Sequence, residues 1–442
     1  MTAPRPGIPD IDLLQGGGSL NKQQISVRDT DVLIVGAGLA GLSAAHRLRA
    51  GGLRVDIAEA SDRIGGRAFG WFWPEAGRMI DLGGTWILPD FREIRGLIHE
   101  FGLDLFDSPD AAESLIHFRD GSSSMRTPDE GGARQLEKAL QTLRGLEGAA
   151  AGNAAERLEQ AALSPWVQDW MVATQRYLAG APLADIDAGH LMLDLTELAD
   201  PEHYKSQIGG TTAALTAALF GSSRASVHLD AVATRIERSA AGFATTTSAG
   251  TFTSKAVILA VPLNTMGAID FDHGVLGGVS AHVPDGHRGA SRKDWFVLDG
   301  VTEHFRVFAS EGLFGYFRTE RRLGDGGMLA VGLAPAAEGA PTVEDFEKQI
   351  REYIPSATIR AHTSFDWEAY PWARGTWIAP PPGFYGALSS MPSGIDGLYA
   401  VGGDLSAEFP GTLEGAVATG RRAAESVLNT INSEQTGETQ SS

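Results

Sequence analysis

Apolar and polar positions along this chain fall into blocks whose period changes. Val32–Val35 is a short continuous apolar run and reads as a strand buried on both faces. Leu42–Arg49 switches to helical spacing and is closed by Gly51-Gly52; Val55–Ala58 is a second buried strand. A strand, Leu398–Gly402, and a helix, Thr412–Leu428, repeat this pairing near the C-terminus. Between them Val227–Leu229, Ala233–Arg238, Phe243–Thr247 and Ala256–Ala260 read as strands. Met79–Trp86 is a strand running into a glycine turn. Lys293 and Trp295 alternate on another strand, and residues 296–370 mix strands with one helix, Val343–Tyr353. Residues 106–205 differ. Ala133–Ala162 and Pro165–Ala179 are rich in Ala and Leu at helical spacing, with few strand signals, and predict a mostly helical insertion shaping a pocket. Residues 1–29, rich in Pro, Gly and polar side chains, read as an arm packed on the surface or disordered, and 431–442 as a flexible polar tail.

The pattern predicts an α/β fold whose interleaved parts return to one sheet. Its chemistry starts at residues 31–67. The strand Val32–Val35 runs into Gly36-Ala37-Gly38-Leu39-Ala40-Gly41, a G-x-G-x-x-G loop that opens a helix. Gly36 permits the tight turn, Gly38 lets backbone approach a pyrophosphate, and Gly41 lets helix and strand pack closely. The helix N-terminus offers free N–H groups and a positive dipole end to phosphates. Glu59, ending the second strand, can accept hydrogen bonds from a ribose. The extension Ser61–Arg67 adds the pair Gly65-Gly66 and a cation, Arg67, able to reach the same diphosphate. Gly83 and Gly84, after Asp81-Leu82, let backbone come close to a planar ring. Late in the chain, Gly402-Gly403-Asp404 and Gly411-Thr412-Leu413-Glu414-Gly415-Ala416 open a second helix onto the same place. Its N-terminus can stabilise negative charge on a ring edge.

Composition narrows the field. With 442 residues the chain is long enough for several domain-sized units and a large core. A net charge of −19 argues against nucleic-acid binding. The absence of cysteine excludes disulfides, thiolate metal sites and cysteinyl attachment of a cofactor; no metal site is expected. The N-terminus has neither an apolar signal core nor a twin arginine. The longest apolar run, near Ala256–Leu263, is far too short to span a membrane. A soluble, cytoplasmic protein is expected.

The segment E-A-x-x-R-x-G-G-R at 59–67 resembles the second fingerprint of FAD-dependent amine oxidases, and D-L-G-G at 81–84 is shared with them. Three further stretches, G-H-R-G-A-S-R-K-D-W at 286–295, D-W-E-A-Y-P-W-A-R-G-T-W-I-A-P at 366–380 and G-x-D-x-S-x-E-F-P-G-x-x-E-G-A at 402–416, carry the likeness on. The chain is similar to flavin monoamine oxidases, and within them to the bacterial nicotine and 6-hydroxynicotine oxidases, over about residues 30–430. The resemblance implies a Rossmann-like FAD-binding domain of the amine oxidase (GR2) type, from 30–105, 206–292 and 378–430. It is interleaved with a mixed-sheet substrate domain, from 106–205 and 293–377.

Carried over by residue, the resemblance implies FAD contacts at Gly36, Gly38, Gly41, Glu59, Ala60, Gly66, Arg67, Gly83, Gly84, Thr85, Gly403, Asp404 and Leu413. Val232 would touch the adenine end through its backbone, and Asp404 would bind hydroxyls of the ribityl chain. Lys293 matches the lysine that holds a water at the flavin N5; a surface lysine is the alternative. Trp377 matches one wall of an aromatic cage around the amine, and Thr412 stands where the second wall is usually tyrosine. Thr376 stands where covalently flavinylated members carry cysteine, so FAD is expected to be non-covalent. The implied reaction oxidises a C–N bond of a secondary or cyclic, alkaloid-like amine to an imine or iminium, later hydrolysed. The electrons would pass to O2, giving hydrogen peroxide, or to a protein acceptor. A homodimer is left open. The competing readings are an FAD desaturase or C–C oxidase, and a flavin-holding protein without turnover.

Overall fold

In the computed structural model of the chain, the described residues are 19–21, 27–111, 113–118, 121–125, 130–145, 152–178, 180–193, 206–334 and 341–440. A six-stranded, all-parallel sheet forms the first layer, in the order Ser19–Asn21, Ser226–His228, Val55–Ala58, Val32–Val35, Ala256–Leu259, Leu398–Ala400. Its central strands are buried at every position because both faces are covered. The period-2 rule divides them cleanly. Val32 and Ile34 face the helices Leu39–Leu48, Thr212–Ser223 and Leu413–Gln440, while Leu33 and Val35 face a core shared with a four-stranded sheet. That sheet runs Ala233–Ser239, Gly242–Thr247, Gly250–Ser254, Val27–Asp29.

A seven-stranded mixed sheet lies beyond. Its order is Thr358–Ser364, Arg292–Asp299, Met328–Ala334, Tyr316–Arg322, Phe305–Ala309, Glu113–His117, Ser123–Met125. Every pairing in it is antiparallel except Phe305–Ala309 with Glu113–His117. Along Arg292–Asp299, Phe296 and Leu298 pack on the side covered by the helix Val343–Tyr353. Trp295 and Val297 pack on the opposite side, with Trp73, Ile80 and Trp367. Lys293 shares the Trp295 side, and this decides its fate.

The α/β class with a mixed sheet and a helical part is as expected, and the helix Val343–Tyr353 has the expected bounds. Three expectations need correction. The described pieces of the N-terminal arm are edge strands: Ser19–Asn21 extends the parallel sheet and Val27–Asp29 pairs with Thr251–Thr253. The insertion is helical at Glu130–Gly145, Ala154–Gln160 and Pro165–Leu178, but Glu113–His117 and Ser123–Met125 leave it to extend the large sheet. The last helix continues to Gln440 rather than ending near Leu428, because no proline interrupts it.

Candidate active site

One cavity of about 410 Å³ runs from the end of the parallel sheet to the face of the large sheet. Of the positions singled out from sequence, all but Gly41 and Asp404 line it. Gly41 sits one layer behind, as its packing role requires: a Cβ there would stand 2.0 Å from Gly36 O. Gly36 itself has φ +106° and no room for a side chain against Ala260 O. Gly38 differs: a Cβ on it meets nothing nearer than 4.0 Å, the Cα of Gly66. A side chain there would project into open space between the two glycine pairs. Gly65 N donates to Ala37 O at 2.8 Å, so the second glycine pair is strapped onto the first loop. The helix Leu39–Leu48 carries no side-chain cap and no acid in its first turn, which leaves its dipole end unopposed.

These features fit a dinucleotide. Glu59 is held at the rim: its carboxylate accepts from Ala37 N at 2.6 Å, Ser61 N at 2.9 Å and Ser61 Oγ at 2.6 Å. Val232 also lines the cavity, but its N–H donates to Ser248 Oγ at 2.8 Å and its carbonyl accepts from Ser248 N at 2.8 Å. Ser248 thus holds the Val232 backbone in place at the cavity wall.

Asp404 is turned to Arg67 rather than to the cavity. They form a bidentate pair at 2.8 and 2.8 Å, and Arg67 donates to Thr376 O at 2.5 Å. Burial alone would raise the Asp404 carboxyl, but the Arg67 guanidinium holds it below the usual carboxylate value. Asp404 is 1% exposed and could not be left unpaired. It orients Arg67 and does not itself border the cavity. Three of the five guanidinium N–H groups are used, leaving two for a diphosphate.

The other half of the cavity is built around residues 81–86. Lys293 is 6% exposed, so it is no surface lysine. It donates to Gly83 O at 2.5 Å and to Thr85 Oγ1, and its Nζ lies 5.0 Å from the Trp86 ring. Trp295 Nε1 donates to Asp81 O at 2.9 Å and Trp367 Nε1 to Leu82 O at 3.0 Å. A Cβ on Gly83 would collide with Arg67 O at 1.8 Å, and one on Gly84 with the Leu413 side chain at 2.6 Å. The D-L-G-G turn is thus clamped between the Gly65–Arg67 segment, the start of the last helix and the lysine strand.

Burial pushes the Lys293 ammonium down to about 8, opposed by the Asp81 and Glu320 carboxylates. Burial likewise pushes the Asp81 carboxyl up to about 6, against Lys293 and two hydrogen bonds from Thr212. Because Asp81 is raised above its unfolded value, its contribution to stability is complete below about pH 4 and lost as pH rises through about 6. Relative to Asp81→Asn, the wild type is expected to lose roughly 2–3 kcal/mol between pH 4 and 6.5. Urea unfolding of both proteins at several pH values measures this difference; parallel profiles would refute it.

Trp377 lines the cavity half-buried and donates from Nε1 to Leu178 O at 2.5 Å. Thr412 also borders it, but its hydroxyl is a helix cap. Oγ1 accepts from Gly415 N at 3.0 Å and donates to Phe409 O at 2.9 Å. Thr412→Ala is expected to lower stability by about 1 kcal/mol and Thr412→Ser by much less, read from urea midpoints. Thr412→Tyr would restore an aromatic wall at the same loss of capping. Sequence reasoning missed Trp86, Leu178, His190, Ser291 and Leu333, which also line the cavity. They come largely from the helical and strand segments where no motif marked them. Burial pushes the His190 imidazole down to about 4, so it is neutral at physiological pH; Nδ1 bonds the Tyr385 hydroxyl at 2.9 Å. Glu414 was also missed. Its carboxylate accepts from Glu93 N at 2.8 Å and Ile94 N at 2.9 Å, capping the helix Arg92–Glu100 from the start of the last helix.

Among the described residues no group of three or more His, Cys, Asp or Glu could hold a metal, and no helix is long and apolar enough to cross a membrane.

Comparison with known proteins places this geometry. The model of the flavin-containing amine oxidoreductase family matches residues 39–428. The chain is 23% identical to pseudooxynicotine dehydrogenase of a Pseudomonas species, over 91% of this chain and 86% of that one. It is 25% identical to (S)-6-hydroxynicotine oxidase of Paenarthrobacter nicotinovorans, over 90% and 99%. Among solved structures, putrescine oxidase bound to putrescine superposes with a TM-score of 0.78 at 19% identity, over 91% of this chain and 100% of that one. Cyclohexylamine oxidase of Brevibacterium oxydans superposes at 0.73, again at 19% identity and over 91% and 100%.

Proposed function

The chain belongs to the flavin-containing amine oxidoreductases, and from that premise we propose that it oxidises a C–N bond of a secondary or cyclic amine, using non-covalent FAD. One observation carries this reading: a buried lysine ammonium and an indole line the same cavity as the G-x-G-x-x-G loop. FAD would be held by the loop Gly36–Gly41, by Glu59 at the ribose and by Arg67 at the diphosphate. The residues of 30–105, 206–292 and 378–430 would form that half, and those of 106–205 and 293–377 the amine half. FAD supplies the two-electron acceptor; the protein positions the amine and sets its charge.

An amine must lose its proton to be oxidised. The cavity wall is mostly apolar, and Trp86, Leu178, Leu333 and Trp377 disfavour an ammonium by desolvation. No strong base is then required of the neutral His190. Lys293 stays cationic below about pH 8 and directs positive charge toward the Gly83 turn. The product would be an imine or iminium, hydrolysed afterwards, with O2 reduced to hydrogen peroxide. Thr376, buried and bonded through Oγ1 to Ser291 N, offers no thiol for a flavin link, and the chain has no cysteine. The relatives named for pseudooxynicotine and 6-hydroxynicotine support an alkaloid-like amine as substrate.

The test is direct. Purified protein should carry a flavin spectrum, release the flavin on acid precipitation, and bleach anaerobically with a cyclic amine. A yellow protein that no member of a broad amine panel bleaches would overturn the proposal.

A further inference from the structure

Ser291 stands two residues before Lys293, on the same side of the chain as it enters the strand Arg292–Asp299, and like Lys293 it lines the cavity. It is 4% exposed. Its N–H donates to Thr376 Oγ1 at 3.2 Å, which fixes the backbone there. Its Oγ has no hydrogen-bond partner among the described residues. Gly180 shows where that hydroxyl sits. A Cβ built on Gly180 would lie 3.1 Å from Ser291 Oγ and 3.3 Å from Trp377 Nε1, so the hydroxyl and the indole edge meet at one spot. The indole N–H is already given to Leu178 O. At this spot the serine hydroxyl is the polar group left over.

A buried hydroxyl without a partner costs roughly 1–3 kcal/mol, and an alanine would fill nearly the same space without that cost. We propose that Ser291 Oγ–H donates to an acceptor atom on the substrate and so selects among amines. The acceptor would be an aromatic ring nitrogen or a carbonyl or ether oxygen, carried beyond the C–N bond that is oxidised. The amine's nitrogen serves the reaction; the second polar atom serves recognition beside Trp377. This inference rests on the amine-oxidising reading above.

The test compares wild-type flavoprotein with Ser291→Ala on matched amines. One pair is a pyrrolidine bearing a pyridyl ring against the same pyrrolidine bearing phenyl. The other is an aryl amino ketone against its methylene analogue. Steady-state kcat/KM and anaerobic bleaching are read for each. The wild type should prefer the acceptor-bearing member of at least one pair. Ser291→Ala should lower that preference about five- to tenfold, the loss of one neutral hydrogen bond, with flavin content unchanged. A purely structural serine would change all four amines alike. Preference ratios equal in the two proteins would overturn the assignment and leave amine oxidation standing. A wild type bleached by other amines but by none of these four would overturn the assignment alone; one bleached by no member of a broad amine panel would overturn both.

Discussion

Lys293→Met is expected to keep its flavin and lose turnover by about a hundredfold or more, the scale of removing one preorganised charge from an active site. Methionine nearly matches the lysine stem in length at a site that is 6% exposed, so packing is kept while Gly83 O and Thr85 Oγ1 lose their donor. What disappears is the ammonium held by Gly83 O, Thr85 Oγ1 and the Trp86 face. The pH profile gives a second reading. Burial brings Lys293 down to about 8, so its cationic form is present below that pH and is lost above it. A wild-type rate that needs the cation falls as pH rises through about 8, and that limb should be missing in Lys293→Met. Turnover within a few-fold of wild type, with the limb retained, would remove Lys293 from the proposed chemistry.

Arg67→Met is expected to yield a flavin-free protein that is also less stable by about 3 kcal/mol, because it strands a buried carboxylate. The figure is set at the low end because the Arg67 side chain is 25% exposed, while that of Asp404 is 2% exposed. Two effects can be separated. The double variant Arg67→Met with Asp404→Asn removes the stranded charge, so it should regain part of the stability without regaining flavin. Denaturant unfolding of the apoproteins and flavin titration of each would show this. A single variant that keeps its flavin and its urea midpoint would show that Arg67 serves neither purpose.

Legibility of the site followed the range of the contacts involved. Gly36, Gly38, Gly41 and Glu59 belong to one strand–helix–strand unit, in which Gly41 packs on Gly36 and Glu59 accepts from Ala37, 22 residues away. A glycine at φ +106°, or one whose added Cβ would stand 2.0 Å from a carbonyl five residues earlier, is required by local backbone, and spacing reveals it. The helix Val343–Tyr353 was legible for a similar reason: its apolar stripe and its Thr342–Asp345 capping box are local. Resemblance to a family supplied the remainder of the expected cavity, though not the partners that Asp404, Val232 and Thr412 take within the fold. A carboxylate, an amide and a hydroxyl can each take several partners, and sequence does not rank them.

By itself the chain's sequence determined the glycine loop, the alternation that makes Lys293 and Trp295 neighbours on one side of a strand, and the absence of any thiol. Tertiary structure alone decided which side of that strand faces the cavity, since alternation is symmetric between the two faces. It brought Gly83 to Lys293 across 210 residues and Asp404 to Arg67 across 337. It also turned Ser291 into a buried hydroxyl without a partner. Spacing constrains what a residue can reach nearby; burial and ionisation depend on what the rest of the chain folds against it.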